Sequence, residues 1–234
     1  MPETTEAQLC YLCGNPLREP TTDDHVPAQG FFAPEIRRRY NLDKLITIPV
    51  HAACNALYKL DEEYFLHSLY PFALGTETGD ARHHRVRERF RAGENRKLVA
   101  MVMAEFDHRP GGLVLPFRQI IKRFDRIKRV LWKIVRGLNF HHHGQVCPEN
   151  CQIRWSPTTR EDLEPPEHFK LFMRLPDNEP HGEYQEVFSY RFKHIVDAEI
   201  EASFHYWGLL IWDSILVTLQ FSDQDAPGEN DKAA

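Results

Sequence analysis

The sequence predicts an α+β fold: a metal-binding module at the N-terminal end, basic helices in the middle, and an antiparallel sheet toward the C-terminus. Three observations predict it. Residues 10–70 place Cys10, Cys13, His51 and Cys54 among Pro16, Pro20, Pro27, Pro34 and Pro49, with few long apolar runs. Residues 81–137 place apolar side chains at three- and four-residue steps with Arg and Lys between them, the signature of amphipathic helices. Beyond Gly137 the pattern changes to short alternating segments bounded by turn residues, as in half-buried strands.

Taken in order, residues 1–9 read as a frayed terminus and 10–75 as the metal-bearing module. A helix is expected from Ala52 to Leu69, where Leu57, Leu60, Tyr64, Phe65 and Leu69 follow helical spacing and Pro71 stops the run. ALGTETGDA reads as a linker. The segment 76–137 is expected to be a basic helical unit. Its first helix runs from Ala81 to Glu105 with an interruption at Gly93. Its second runs from Pro116 to a C-terminal cap at Gly137. QIRWS, HFKLFMRL, EVFSYRFKHI, IEASFHYW and LLIWDSILVTLQF are the expected strands of a C-terminal domain over 138–222. Residues 223–234 form a polar acidic tail with the composition of a disordered segment.

Composition narrows the function. The 234 residues are 42% apolar and 27% charged, ordinary for a globular protein, which excludes collagen, coiled coil and wholesale disorder. No apolar run approaches the roughly 20 residues of a membrane helix, and MPETTEAQ is not a basic-then-apolar leader. The expectation is a cytoplasmic chain with no membrane contact. Five cysteines, an odd number, favour metal or free thiols over a disulfide scaffold. The net charge of −5 conceals an asymmetry: residues 81–136 carry 16 Lys and Arg against 5 Asp and Glu, and both flanks are acidic. Concentrated positive charge is the footprint of phosphate binding, whatever the overall balance. Arg118, Lys122, Arg126, Arg129 and Lys133 fall largely opposite the apolar stripe and are expected to meet a nucleic-acid backbone.

CYLCG places two thiolates two residues apart before a glycine, the spacing of a zinc knuckle. HAACN repeats the separation with His51 and Cys54. Two plus two ligands complete a tetrahedral structural Zn2+ site.

Between the halves lies TTDDHVPAQGFF, and after the second comes NALYKLDEEYF. Over residues 10–68 the chain resembles the HNH endonuclease family in its zinc-stapled branch: a Cys pair, a strand carrying Asp24-His25-Val26, an apolar stretch LITIPV, and a second ligand pair ending in Cys54-Asn55 at the start of a helix. The resemblance implies a treble-clef-like ββα-metal module. It implies a hydrolase that cleaves nucleic-acid phosphodiester bonds, DNA rather than RNA, with Mg2+ or a similar divalent cation. His25 would be the general base, and Asp24 and Asn55 the protein ligands of the catalytic cation. The family's middle Asn is displaced here: Asn41 lies a few residues early, and Lys44 stands nearer the usual place. Either Asn41 serves after a loop shift, or Lys44 replaces it and contacts phosphate. His51 stands where a Cys is more common, which keeps zinc chemistry or brings it nearer the catalytic cation.

Lys59, one turn after Asn55, and Arg37, Arg38 and Arg39 are further candidates for phosphate contact, with solvated surface as the alternative for each. HHHGQVCPENC offers Cys147 and Cys151 beside three histidines, either a second metal site or a turn with two free thiols. Phe204, His205, Tyr206, Trp207 and Trp212 read as sheet core before base-stacking platform. Two rivals stand beside the nuclease: a zinc-stabilised nucleic-acid binder without cleavage, and a defence or mobile-element interaction protein whose acidic C-terminal half meets a protein partner.

Overall fold

A computed structural model describes residues 8–94, 96–103, 106–107, 118–119, 123–147, 152–157, 170, 174, 179–199, 201–213 and 215–222. The mixture of helices and antiparallel strands is α+β, as the sequence predicts. Among the described residues no helix is long and apolar enough to cross a membrane.

Strand β1 (Thr21–His25) pairs antiparallel with β2 (Thr47–His51), with Asp24 opposite Ile48 and Thr21 opposite His51. Their connection holds a 3-10 turn at Gln29–Phe31 and helix α1 (Pro34–Tyr40). Pro34 opens α1 at its first position, where the missing N–H costs nothing. Asn41 ends it in the left-handed conformation (φ 51°), which an Asn tolerates. Strand β2 leads directly into α2 (Ala52–Ala56) and then α3 (Lys59–Leu69). The helix expected over 52–69 is therefore two helices, broken at Leu57 and Tyr58.

Helix α4 (Glu77–Arg91) starts inside the stretch read as a linker, because the Thr76 hydroxyl accepts from the Gly79 N–H and caps it. Gly93 (φ 82°) separates α4 from α5 (Arg96–Met103), as expected. Strands β3 (Phe106–Asp107) and β4 (Arg118–Gln119) form a short antiparallel pair inside a segment read as helix and break.

Helix α6 (Phe124–His143) is the centre of the molecule. It runs six residues past the expected cap at Gly137 and ends at Gly144 (φ 68°). Gly137 has another role: a Cβ there would lie 2.6 Å from Val26 Cγ2 and 3.3 Å from the Tyr11 ring, so the absent side chain lets α6 cross the N-terminal hairpin closely. The helix was expected to be basic on one side and apolar on the other. Every residue from Val130 to Asn139 is buried instead, because α6 is covered on more than one face.

Strands β5 (Gln152–Pro157), β6 (Phe188–Asp197), β7 (Ala202–Ile211) and β8 (Ile215–Ser222) form one antiparallel sheet in the order β5-β8-β7-β6. LLIWDSILVTLQF, read as one strand, contains the β7–β8 turn, with Trp212 and Asp213 both at φ 51°. HFKLFMRL lies mostly outside the described residues. Trp212 at this turn is buried: its indole N–H donates to the Phe31 carbonyl at 3.1 Å, and its ring lies 5.7 Å from that of Phe31. One hydrophobic cluster joins the hairpin (Val26, Ile48, Val50), α3 (Phe65, Leu69), α6 (Ile127, Leu131, Leu138) and the sheet (Trp207, Leu209, Phe221). Each such fully buried side chain contributes about 1.5–3 kcal/mol relative to exposure.

His67 on α3 is buried in this arrangement, and among the described residues its Nδ1 has no hydrogen-bond partner. Burial, then the charges of Arg82 and Arg89, push its imidazolium down to about 4. The unfolded chain takes up this proton at an ordinary pKa of about 6.5, so the unfolded state binds more protons between those values. His67 thus makes stability fall as pH drops from about 6.5 toward 4, with its full contribution present above that window. Thermal melts from pH 7.5 to 5 should show a shallower acid slope for His67→Gln than for wild type.

Candidate functional site

Two adjoining constellations occupy the N-terminal module. The first is the Cys10, Cys13, His51 and Cys54 set, whose ligand atoms all lie within 4.8 Å of one another. The Cys10 carbonyl accepts from the N–H groups of Cys13 (3.2 Å) and Gly14 (2.7 Å), and Gly14 sits at φ 72°. This tight turn aims both sulfurs the same way. His51 ends β2 and Cys54 lies in α2, which bring the other two ligands to the same place. His51 Nδ1 is 3.4 Å from Cys13 Sγ and 3.8 Å from Cys54 Sγ, while Nε2 lies 3.1 Å from the Pro16 carbonyl. Nε2 also lies 3.2 Å from the Arg18 backbone N–H; with the proton on Nε2, donated to the Pro16 carbonyl, the Nδ1 lone pair faces the sulfurs, as a metal ligand requires.

The thiols register their crowding. Burial pushes Cys13 up, but the Asn15 backbone, His51 and the neighbouring cysteines outweigh it, and it falls to about 7. Burial and the same cysteines push Cys54 up to about 12. Three sulfurs and an imidazole this close suit a metal ion such as zinc, whose charge lets all three thiolates coexist. The same donor set assigns His51 to the sulfur cluster rather than to the second constellation.

The second constellation is a buried cage around Lys133. Its ammonium donates to Asp24 Oδ1 at 2.8 Å, Asn55 Oδ1 at 3.2 Å and Glu62 Oε1 at 2.5 Å. Three N–H groups meet three oxygens, and the Tyr58 ring lies 5.3 Å from Nζ. The Tyr11 hydroxyl donates to the other Asp24 oxygen. Burial, followed by the Asp24 charge, pushes the Tyr11 phenol well above its ordinary value, so it stays a donor. Strand β1 turns Asp24 inward, α2 presents Asn55, α3 presents Glu62, and α6 delivers Lys133 with its side chain only 3% exposed.

The two constellations share their covalent neighbours. Cys10 precedes Tyr11, and Cys54 precedes Asn55. Whatever holds the sulfurs together therefore holds two walls of the cage.

Asp24 and Asn55, which the resemblance implied as ligands of one cation, both accept from the same Lys133 ammonium, as does Glu62. His25 follows Asp24 at the strand end and is half-buried, and among the described residues none of the cage's hydrogen bonds involves it. Asn41 and Lys44 are exposed on the approach to β2, outside the cage's bonding.

Lys133 was expected on an open phosphate-binding face with Arg126 and Arg129. That face is closed, because it packs on the acidic side of α3. Arg126 Nε lies 3.3 Å and Arg129 Nη1 2.6 Å from the buried Asp61 carboxylate, and their guanidinium groups sit over Tyr64 and Tyr58. Arg129 alone of the three remains half exposed. Arg118 belongs to β4, and Lys122 lies outside the described residues. Lys59 and Arg38 are exposed, Arg37 is half-buried, and Arg39 pairs with Glu77.

His141, His142 and His143 occupy the last turn of α6, and Cys147 is buried; Cys151 lies outside the described residues. Among the described residues the Cys10 set is the one group of His, Cys, Asp and Glu compact enough for a metal. A cavity of about 460 Å³ beside the end of β1 is lined by Val26, Pro27, Ile46, His142, His181 and Tyr190, among others. Burial, then His141, His181 and His143, push His142 down to about 4, so this part of the wall is uncharged at neutral pH.

Tyr11, Tyr58 and Glu62 were not singled out from the sequence. The acidic run DEEYF beside a lysine-bearing helix was the available signal for Glu62. No protein-family model, no curated protein and no solved structure matches the chain.

Proposed function

We propose that the protein is a zinc-stapled endonuclease of the HNH type that hydrolyses nucleic-acid phosphodiester bonds, DNA in preference to RNA. The supporting observation is that Asp24, on the strand that carries His25, and Asn55, on α2, meet at one point, which the Lys133 ammonium occupies. In this reading Zn2+ holds Cys10, Cys13, His51 and Cys54, and the oxygens of Asp24 and Asn55 hold a divalent cation. That cation supplies charge stabilisation to the phosphoryl oxygens. His25 accepts the proton of the attacking water, a role for which imidazole is suited because its ordinary titration range straddles neutral pH. Backbone affinity comes from the basic residues that remain exposed: Arg38 on α1, Lys59 on α3, and Arg85, Arg87 and Arg91 on α4.

The test is plasmid nicking by the zinc-loaded protein with Mg2+, Mn2+ or Ni2+. Cleavage should fall by roughly 100-fold or more in His25→Ala, the share a general base commonly supplies. Cleavage unchanged in that variant removes His25 from the chemistry. One observation favours a second reading, a nucleic-acid binder that does not cut: Lys133 stands in the cation position. Salt-dependent binding with no nicking under any of the three ions would establish it.

A further inference from the structure

The cavity beside the end of β1 is assembled from side chains that the cage and the sulfur cluster do not use. The hairpin contributes Val26, Pro27 and Ile46, and His142 at the end of α6 joins His181 and Tyr190 in the lining. Its volume of about 460 Å³ falls within the roughly 300–1,000 Å³ of small-ligand sites. The polar part of the lining is built of flat rings. The His181 imidazole stacks on the Tyr190 ring with centroids 5.3 Å apart and planes 22° apart, and His142 meets His181 edge-on at 5.6 Å. The backbones of His181 and Tyr190 exchange both hydrogen bonds, at 2.8 and 3.0 Å, which fixes the stack. His142 Nε2 lies 2.8 Å from the Tyr190 hydroxyl. Burial pushes that phenol up to about 12 and, with the neighbouring histidines, holds His142 down at about 4, so neither is charged near pH 7. Among the described residues that line the cavity none is Lys or Arg, and one is acidic, the exposed Glu183. A phosphate finds no permanent cation there. A flat, uncharged ring finds aromatic partners, and an amino group on that ring finds a carboxylate. Nucleobases are such rings, and Glu accepts from the exocyclic amine of cytosine. Val26 follows His25 directly, so a base in this cavity is held one residue from the proposed general base.

We propose that this cavity receives one unstacked base of a single-stranded DNA substrate, packed against the His142, His181 and Tyr190 rings, with Glu183 accepting from an exocyclic amine, so that cytosine or adenine is preferred to thymine. A base inside a duplex cannot enter, because its faces are covered by its neighbours and its amine by pairing. The substrate is therefore single-stranded or locally unpaired at this point. The base site stands on the cavity alone; its placement beside a phosphodiester that is cut rests on the nuclease reading. Phosphate affinity stays with the exposed basic residues, which carry no sequence information, and the cavity adds a preference among bases.

The probes are fluorescein-labelled single strands of about ten nucleotides: oligo-dC, oligo-dT and an abasic strand of the same length. They are titrated with zinc-loaded full-length protein and no added Mg2+, so that nothing is cut, and read by fluorescence anisotropy. Wild type should bind the dC strand roughly fivefold or more tightly than the abasic strand, the lower end of what stacking one base supplies. Ile46→Trp, which fills the cavity, should erase that difference and leave abasic binding unchanged. His181→Ala, which removes an exposed ring, carries the same test if the Trp variant does not fold. Wild type should also prefer the dC strand to the dT strand, and Glu183→Ala should remove that preference. Equal affinity for the dC and abasic strands overturns the proposal, as does a difference that survives both cavity variants or a dC preference that Glu183→Ala leaves intact. Base-dependent binding by a protein that nicks no DNA with Mg2+, Mn2+ or Ni2+ upholds the cavity and defeats the nuclease reading. Nicking without base-dependent binding does the reverse.

Discussion

Removing the metal from the sulfur cluster is expected to melt the N-terminal module and to loosen the cage with it. Zinc binding by small Cys/His sites is worth about 10–16 kcal/mol at neutral pH, which equals or exceeds the roughly 5–15 kcal/mol that keeps a whole domain folded. Without the cation the thiols titrate apart: Cys13 is drawn down to about 7 while Cys54 is pushed up to about 12. At one end of the set the buried side chains of Cys10, Tyr11 and Leu12 add to the knuckle turn; at the other, α2 is only five residues long. Treatment with a chelator, or Cys54→Ser, should lower the melting temperature by on the order of 10–20 °C, the shift that a loss of about 5 kcal/mol gives a chain of this size. Elemental analysis should find one zinc per wild-type chain. Hydrogen exchange should rise along β1 and at Tyr11 and Asn55, because Cys10 and Cys54 are their immediate neighbours. A melting curve indifferent to chelator would show that the four side chains pack without a metal.

The sulfur cluster was legible because its information is local. Two ligands at a separation of two, followed by a glycine, describe a turn that the chain makes by itself, and HAACN repeats the separation. The order of helices and the antiparallel C-terminal sheet were legible for the same reason, since periodicity is a property of short windows. What was misread depended on distant partners. Lys133 belongs to a stripe with Arg126 and Arg129, which resembles a solvated face when α6 is considered alone. Its principal partner, Asp24, lies 109 residues away, and no window of sequence connects them. Gly137 was taken for a cap because glycine serves equally at helix ends and at close crossings, and only the position of Val26 decides between them. The true cap, Gly144, was hidden behind three histidines that extend the helix by another turn. Helix α1 was seen only as a basic run, although Pro34 at its first turn was a readable start signal.

Asp24→Ala is expected to be the most destabilising substitution in the cage. It removes the more buried of the two charges that hold an ammonium whose side chain is 3% exposed, and it leaves the Tyr11 hydroxyl without its acceptor. Breaking a buried pair from one side costs about 3–5 kcal/mol, because the surviving ion keeps its desolvation penalty and loses its partner. Glu62 does not make up the difference. Its carboxyl is already pushed up by burial, so drawing it into full charge beside Lys133 has its own cost. Asp24→Asn separates charge from shape: the amide keeps an oxygen for Lys133 or for Tyr11 and should lose less. The double variant Asp24→Ala with Lys133→Met should recover part of the loss, since the stranded ammonium is then gone and an apolar stem takes its place beside the Tyr58 ring. Urea denaturation of wild type, both single variants and the pair measures the coupling directly. Single variants whose losses simply add would mean that Asp24 and Lys133 do not depend on each other, and the cage would then be a coincidence of packing rather than a site built around a cation.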